Sequence, residues 1–207
     1  LLRTQLLAKR FLPAETLNTF QQDQFARACG IDFGTSNSTV GWLRPQQATL
    51  VPLEDGKPTL PSVVFFNAEE DSVRFGRAGL QDYLDGHEGR LMRSLKSLLG
   101  SSLVDGITEV QGRPIRFRDL LSQFIATLKE RAEAYSRRSF DHAVFGRPVH
   151  FVDDDTVADQ LAEATLGAIA RAVGFKELSF QYEPIAAAFH YETSLSREEV
   201  VLVADIG

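Results

Sequence analysis

One cysteine in 207 residues is the first limit on this protein. Cys29 alone can close no intramolecular disulfide and build no Cys-based zinc cluster, so a cystine-stapled secreted scaffold and a zinc finger are both excluded. A lone thiol suits a reducing compartment, and the cytoplasm is the expected location. Excess positive charge is missing too. With 22 Lys and Arg against 28 Asp and Glu, the formal net charge is -6, and the general attraction to phosphate backbones or anionic lipid is absent overall. No nucleic-acid or membrane partner is expected. No apolar run approaches the ~20 residues that cross a bilayer. Walker, Gly-x-Gly-x-x-Gly, His-Glu-x-x-His and Gly-x-Ser-x-Gly motifs are all lacking. His87, His142, His150 and His190 are scattered and read as surface or packing residues rather than a metal site.

What remains is a composition 43% hydrophobic and 24% charged, that of an ordinary globular chain with length for one large domain or two small ones. Leu1 to Gln24 carries Arg3, Lys9 and Arg10 and no acid before Glu15, a composition shared with transit peptides, but it lacks a signal peptide's apolar core. It reads as an upstream extension, poorly ordered through residue 27. At the other end, Val200-Val-Leu-Val-Ala-Asp-Ile-Gly207 is an apolar strand-like run ending on an acid and a turn residue. A buried strand needs a partner and a continuation, so a fragment cut inside a structural unit is expected, with 200–207 opening a second lobe.

Between these ends the pattern is regular. Ala28 to Phe33, Ser38 to Leu43 and Ala48 to Leu53 read as strands joined by turns, in antiparallel sequence. Residues 54–116 are mixed and read as an inserted α+β subdomain, with a strand at Val63 to Phe66 and helical pieces at Ala78 to Leu84 and Leu91 to Leu99. Phe117 to Tyr135 then sets Leu120, Leu121, Phe124, Ile125, Leu128 and Ala132 on one helical face. His142 to Phe145 is a strand. Thr156 to Val173 is a second amphipathic helix with Val157, Leu161, Ala164, Ala168, Ile169 and Ala172 on its apolar face, closed by Gly174. Asp153 to Asp155 suits its positive N-terminal dipole. Leu178 to Gln181 is a strand and Pro184 to Tyr191 a short helix. Three hairpin-linked strands followed by strand-helix units predict an α/β fold: a mixed five-stranded sheet flanked by helices, with a topological switch beside the first strand. Ligands bind at the carboxyl ends of such strands, and this is the ribonuclease-H-like arrangement that nucleases and actin-like ATPases share.

Asp32-Phe-Gly-Thr-Ser-Asn-Ser38 sits at that position. A Gly-Thr-Ser turn between antiparallel strands can aim backbone N–H groups and hydroxyls at a phosphate, and a carboxylate at the strand end can hold magnesium through water. Taken alone, the segment is equally an ordinary hairpin. Protein-kinase use of Asp-Phe-Gly is set aside because no His-Arg-Asp loop is present.

Ile31-Asp-Phe-Gly-Thr-Ser-Asn-Ser38 resembles the first phosphate loop of the DnaK-type, seventy-kilodalton heat-shock chaperones, and further segments follow in that family's order. Val51-Pro-Leu-Glu-Asp-Gly-Lys-Pro-Thr-Leu-Pro-Ser-Val-Val64 is similar to the segment after the third strand, and Phe75-Gly-Arg-Ala78 to the short motif beyond it. Leu95-Lys-Ser-Leu-Leu-Gly100 resembles the element that bears the catalytic lysine, Tyr182-Glu-Pro-Ile-Ala-Ala-Ala188 the connecting motif, and Val203-Ala-Asp-Ile-Gly207 the start of the second phosphate loop. Phe145-Gly-Arg-Pro-Val-His150 and Phe180-Gln-Tyr-Glu-Pro184 are most similar to the divergent YegD-like branch.

The resemblance implies an actin-like ATPase lobe over residues 28–199 that uses ATP/ADP and Mg2+. Gly34, Thr35 and Ser36, with Gly207, would bind phosphate. Asp32 and Asp205 would face each other across a cleft and orient hydrated Mg2+, Lys96 would help position the attacking water, and Glu183 would lie near metal and water. From the residues alone, Lys96 could equally be an exposed lysine and Glu183 the polar residue before a helix-starting Pro. The implied partners are unfolded protein clients and co-chaperones acting through other regions. The second phosphate loop stops at Gly207, the span from Pro148 to Glu183 is longer than in the family, and the arginine usual after the Pro-containing segment has no equivalent. Hydrolysis by this chain alone is therefore expected to be inefficient, and coupled chaperone cycling is in doubt. The competing readings are a ribonuclease-H-type nuclease, a sugar or acetate kinase, and a non-catalytic nucleotide-binding or interaction module.

Overall fold

The computed structural model describes residues 27–44, 47–192 and the single positions 196, 200 and 202. The leader ahead of Arg27 lies outside the described residues. So does the strand expected over Val200 to Asp205, apart from Val200 and Leu202, which are exposed and carry no regular structure.

Alternation builds the first strand. In β1 (Ala28–Phe33), Ile31 and Phe33 point into the core while Asp32 between them is exposed, the period-two pattern of a sheet with one buried face. β2 (Asn37–Arg44), β3 (Gln47–Leu50) and β4 (Thr59–Pro61) follow, then β5 (Val64–Asn67), β6 (Ser72–Phe75), α1 (Gly76–Leu84), β7 (Gly89–Met92), β8 (Ile107–Val110) and β9 (Arg113–Arg116). The second half runs α2 (Phe117–Ser136), β10 (His142–Arg147), α3 (Thr156–Ala172), β11 (Glu177–Tyr182) and α4 (Glu183–Glu192). The main sheet has the order β11-β10-β1-β2-β3, with β4 added on β2. β1, β10 and β11 are parallel, whereas β2 runs antiparallel to β1, β3 and β4. The expected five-stranded path is present, and the short β4 is a sixth strand. β5, β6 and β7 form one small antiparallel sheet, and β8 with β9 another.

The buried stripe of α2 is the one its 3.6-residue spacing predicts: Leu120, Leu121, Phe124, Ile125, Leu128 and Ala132. Phe124 lies 5.6 Å from the Phe33 ring and 5.9 Å from the Phe75 ring, so one side chain ties the helix to the central strand and to β6. Full burial of such a ring is worth about 1.5–3 kcal/mol. Behind β10, Phe145 packs edge-on against Phe175 at 6.0 Å.

Three expectations are corrected. Leu91 to Leu99 is not a helix: Leu91 and Met92 pair with Phe65 and Val64 in β7, and only Leu95–Leu98 turns, as one short 3-10 segment. Cross-strand pairing with a fully buried β5 outweighs local helix preference. The face of α3 is also different. Ala162, Thr165, Leu166, Ile169 and Ala170 are buried together with Asp159, while Val157 and Leu161 stand 76% and 60% exposed. The helix ends fall where expected. Asp155 caps the N-terminus by accepting from Val157 N and Ala158 N, and Gly174 follows the last turn at φ +100, where a side chain would be strained. The third strand stops at Leu50, three residues early, although Val51 still donates to Val40 O at 2.8 Å.

Candidate functional site

The turn after β1 requires glycine. A Cβ at Gly34 would sit 2.2 Å from the backbone oxygen of Asn37, an atom with no freedom to move aside. The turn is braced from beneath by Ser62, just past β4. Ser62 N donates to Ser36 O at 2.9 Å, and Ser62 Oγ donates to Gly34 O at 2.7 Å. That uses the only hydroxyl proton of Ser62, so in the 2.9 Å contact with Ser38 Oγ it is Ser38 that donates. Ser38 and Ser62 are fully buried, whereas Thr35 and Ser36 are exposed. Buried hydroxyls thus hold a turn whose outer side faces solvent.

Three strand ends meet beside it. Asp32, exposed at the carboxyl end of β1, pairs in register with Thr39. Gly146 lies near the end of β10, one position beyond the Ile31–Phe145 register pair. Glu183 opens α4 directly after β11. A Cβ on Gly146 would lie 3.3 Å from Glu183 Cγ and 3.7 Å from Ile31 O, so the glutamate and the Ile31 carbonyl both crowd this glycine. Lys96 arrives from the 3-10 turn, which Leu95 anchors in the core at 0% exposure. Its Nζ donates to Glu183 Oε1 at 2.7 Å across 87 residues of sequence, and the two side chains are 11% and 23% exposed. A charge-assisted hydrogen bond of this length, mostly shielded from water, fixes both groups.

Of the residues singled out from the sequence, Lys96 and Glu183 are in direct contact, while Asp32 and the Gly34, Thr35, Ser36 turn stand at the end of β1, with β10 between β1 and β11. Asp205 and Gly207 lie outside the described residues. Among the described residues no three His, Cys, Asp or Glu side chains converge to hold a metal directly. Asp32, exposed at the strand end, has the chemistry to hold a hydrated Mg2+, since that ion keeps several waters and takes few protein ligands. Ser62 was missed as a supporting residue. It lies inside the Pro61-Ser62-Val63 segment, but no local pattern tells a buried turn-bracing serine from a surface one.

A sequence model of the family described as Hsp70 protein matches residues 28–207. The chain belongs to the Hsp70 family. This Hsp70-family chain is 31% identical over 180 residues to the chaperone protein DnaK of Thermosipho melanesiensis and, to the same degree, to that of Thermosipho africanus. The match covers 86% of this chain and 28% of each relative, so the chain spans little more than a quarter of their length. The fold is accordingly that of an actin-like ATPase lobe, a mixed sheet flanked by helices. Among the described residues no helix is long and apolar enough to cross a membrane.

Proposed function

We propose that this Hsp70-family chain is the first lobe of the domain with which a DnaK-like molecular chaperone binds and hydrolyses ATP. The observation that carries the reading is the shielded Lys96–Glu183 ion pair at the carboxyl ends of the parallel strands, beside the braced Gly34–Ser36 turn. In-line phosphoryl transfer needs positioning and charge neutralisation more than covalent chemistry, and a fixed ammonium, a fixed carboxylate and a glycine turn are the parts for it. In this reading Gly34, Thr35 and Ser36 bind the beta and gamma phosphates of ATP. Lys96 orients the attacking water and offsets charge on the transferred phosphoryl, and Glu183 holds Lys96 in place and accepts a hydrogen bond from that water. Asp32 and Asp205 hold hydrated Mg2+, and Gly207 opens a second phosphate loop. Bound Mg2+ would supply charge neutralisation at the phosphate oxygens.

The remaining elements of the reading are a YegD-like branch, on Phe145-Gly-Arg-Pro-Val-His150 and Phe180-Gln-Tyr-Glu-Pro184, a cytoplasmic location, and client and co-chaperone contacts outside this chain. Residues 200–207 are taken as the first strand of a second lobe that would complete the site. A nuclease is disfavoured because β10 ends Phe145-Gly-Arg-Pro148, with no acid for a second metal.

The test is single-turnover hydrolysis in the intact protein. Lys96→Ala is expected to slow hydrolysis by about 100-fold while ATP affinity changes only a few-fold. An unchanged rate removes Lys96 from the site. Phosphoryl transfer stimulated by a sugar would favour the kinase reading, and nucleotide that leaves melting and proteolysis unaltered would favour a non-catalytic module.

A further inference from the structure

β10 ends on a charge in an apolar setting: Arg147 is only 9% exposed. A guanidinium there must find acceptors, because a buried unpaired charge costs far more than a hydrogen bond returns. α3 supplies them. Nη2 donates to Asp159 Oδ2 at 2.7 Å and Nη1 to Glu163 Oε2. Nε donates to Pro148 O at 3.1 Å and Nη2 also to Val149 O at 3.4 Å. The guanidinium carbon lies 5.1 Å from the centre of the Tyr182 ring and 5.3 Å from that of Phe151. Asp159 turns its other oxygen to the Phe151 N–H at 2.5 Å. One cation therefore joins α3, the connection from β10 to α3, and the last residue of β11.

The electrostatics agree with the geometry. Burial opposes the charge on Arg147, but Asp159 and Glu163 outweigh it and hold the group above its usual value. Arg147, followed by the Phe151 N–H, holds Asp159 below the usual carboxylate range. Arg147 and Asp159 therefore stay charged and paired at neutral pH.

Its position matters more than its strength. Arg147 directly follows Gly146, and its register partner Tyr182 directly precedes Glu183. Gly146 and Glu183 are the pair whose close approach shapes the site. We infer that Arg147 is a positioning residue: by linking Tyr182 through its guanidinium to the Phe151 segment and α3, it sets where Glu183, and with it the Lys96 ammonium, stands relative to the Gly34–Ser36 turn. It touches no reacting group. Lysine cannot replace it, since one nitrogen cannot serve two carboxylates and two carbonyls while also facing two rings. The catalytic part of this inference rests on the ATPase reading, whereas the clamp on Glu183 does not.

The experiment pairs two readouts in the intact protein: single-turnover ATP hydrolysis with ATP affinity, and hydrogen exchange of the peptide spanning Phe180–Ala188. The variants are Arg147→Lys, Tyr182→Leu and the conservative Tyr182→Phe, with Ile125→Val as a core change away from the cluster. Arg147→Lys and Tyr182→Leu are each expected to slow hydrolysis by about ten-fold with ATP affinity within two-fold, as misplacement of an anchored group does. Both should speed exchange over Phe180–Ala188. Tyr182→Phe keeps the ring and should match the wild type, and Ile125→Val should leave that exchange unchanged. Tyr182→Leu keeps every charge paired at a half-exposed position, so it reports even if Arg147→Lys fails to fold. Unchanged exchange in Tyr182→Leu overturns the inference, and so does faster exchange with an unchanged hydrolysis rate. A wild type that hydrolyses no ATP refutes the proposed function and the catalytic part together, and exchange then decides the clamp alone.

Discussion

Removing Lys96 from its pair with Glu183 should cost stability in a way an exposed pair does not. Loss of one partner of a fully buried ion pair costs about 3–5 kcal/mol, because the other charge is left without compensation. Here the abandoned carboxylate is 23% exposed, so water recovers part of that. For Lys96→Met about 2 kcal/mol is expected in the 207-residue chain, or a fall in Tm of about 4–8 °C for a domain of this size. Glu183→Leu strands an ammonium on a flexible stem that can swing to solvent, and should cost about 1 kcal/mol. The double variant leaves no stranded charge, so a cycle should give a coupling of about 1–2 kcal/mol, read from urea midpoints at constant m. Arg113–Asp71 serves as the contrast: at 2.9 Å it is nearly as short, but its side chains are 69% and 62% exposed. Its coupling should stay below about 0.5 kcal/mol and fade in salt, while that of Lys96–Glu183 persists. If the two single changes at Lys96 and Glu183 add with no coupling, the shielding argument is wrong, and the pair cannot be the fixed element of a catalytic site.

Ser62→Ala removes the donor to Gly34 O and leaves the buried Ser38 hydroxyl without its acceptor. About 1–3 kcal/mol of destabilisation by urea unfolding and weaker ATP binding are expected, and unchanged affinity would mean the turn needs no brace. Cys29 should resist alkylation at pH 8 until the chain unfolds, because burial pushes its thiol up to about 12. Since the unfolded thiol loses its proton near pH ~8.5, stability should decline as pH rises from there toward 12, and Cys29→Ser should flatten that limb. In acid the sign reverses. Asp159 is held below its usual range by Arg147 and the Phe151 N–H, so its contribution is present above pH ~4 and is lost as pH falls through the lowered value. Denaturation between pH 5 and pH 2 should show a shallower loss in Asp159→Asn, and an identical acid limb would refute the assignment.

Much of the fold was legible because its signals are local. β1 and α2 carry their burial in their own spacing, period two at Ile31 and Phe33 and period 3.6 from Leu120 to Ala132, and both lie where that spacing puts them. The need for a turn at Gly34 is local as well, since the clash of a Cβ there is with Asn37, three residues on. α3 was misread for a reason that lies elsewhere in the chain. Asp159 lies off the apolar stripe read from the spacing, yet the Arg147 guanidinium meets it in the interior, and the stripe through Val157 and Leu161 turns outward. A carboxylate is buried only where a partner waits, and that partner comes from another element.

The site divides along the same line. The ordered motifs that resemble those of the Hsp70 family singled out Asp32, Gly34, Lys96 and Glu183, whereas the residue types alone left Lys96 and Glu183 open. That Lys96 and Glu183, 87 residues apart, meet at 2.7 Å depends on the parallel pairing of β1, β10 and β11, which brings the strand ends to one edge, and on Leu95, which pins the lysine's turn into the core. Ser62 and Arg147 belong wholly to the folded state. A serine and an arginine carry no sign of what they will touch, and only burial, by stripping away water, forces their hydrogen-bonding groups onto particular partners.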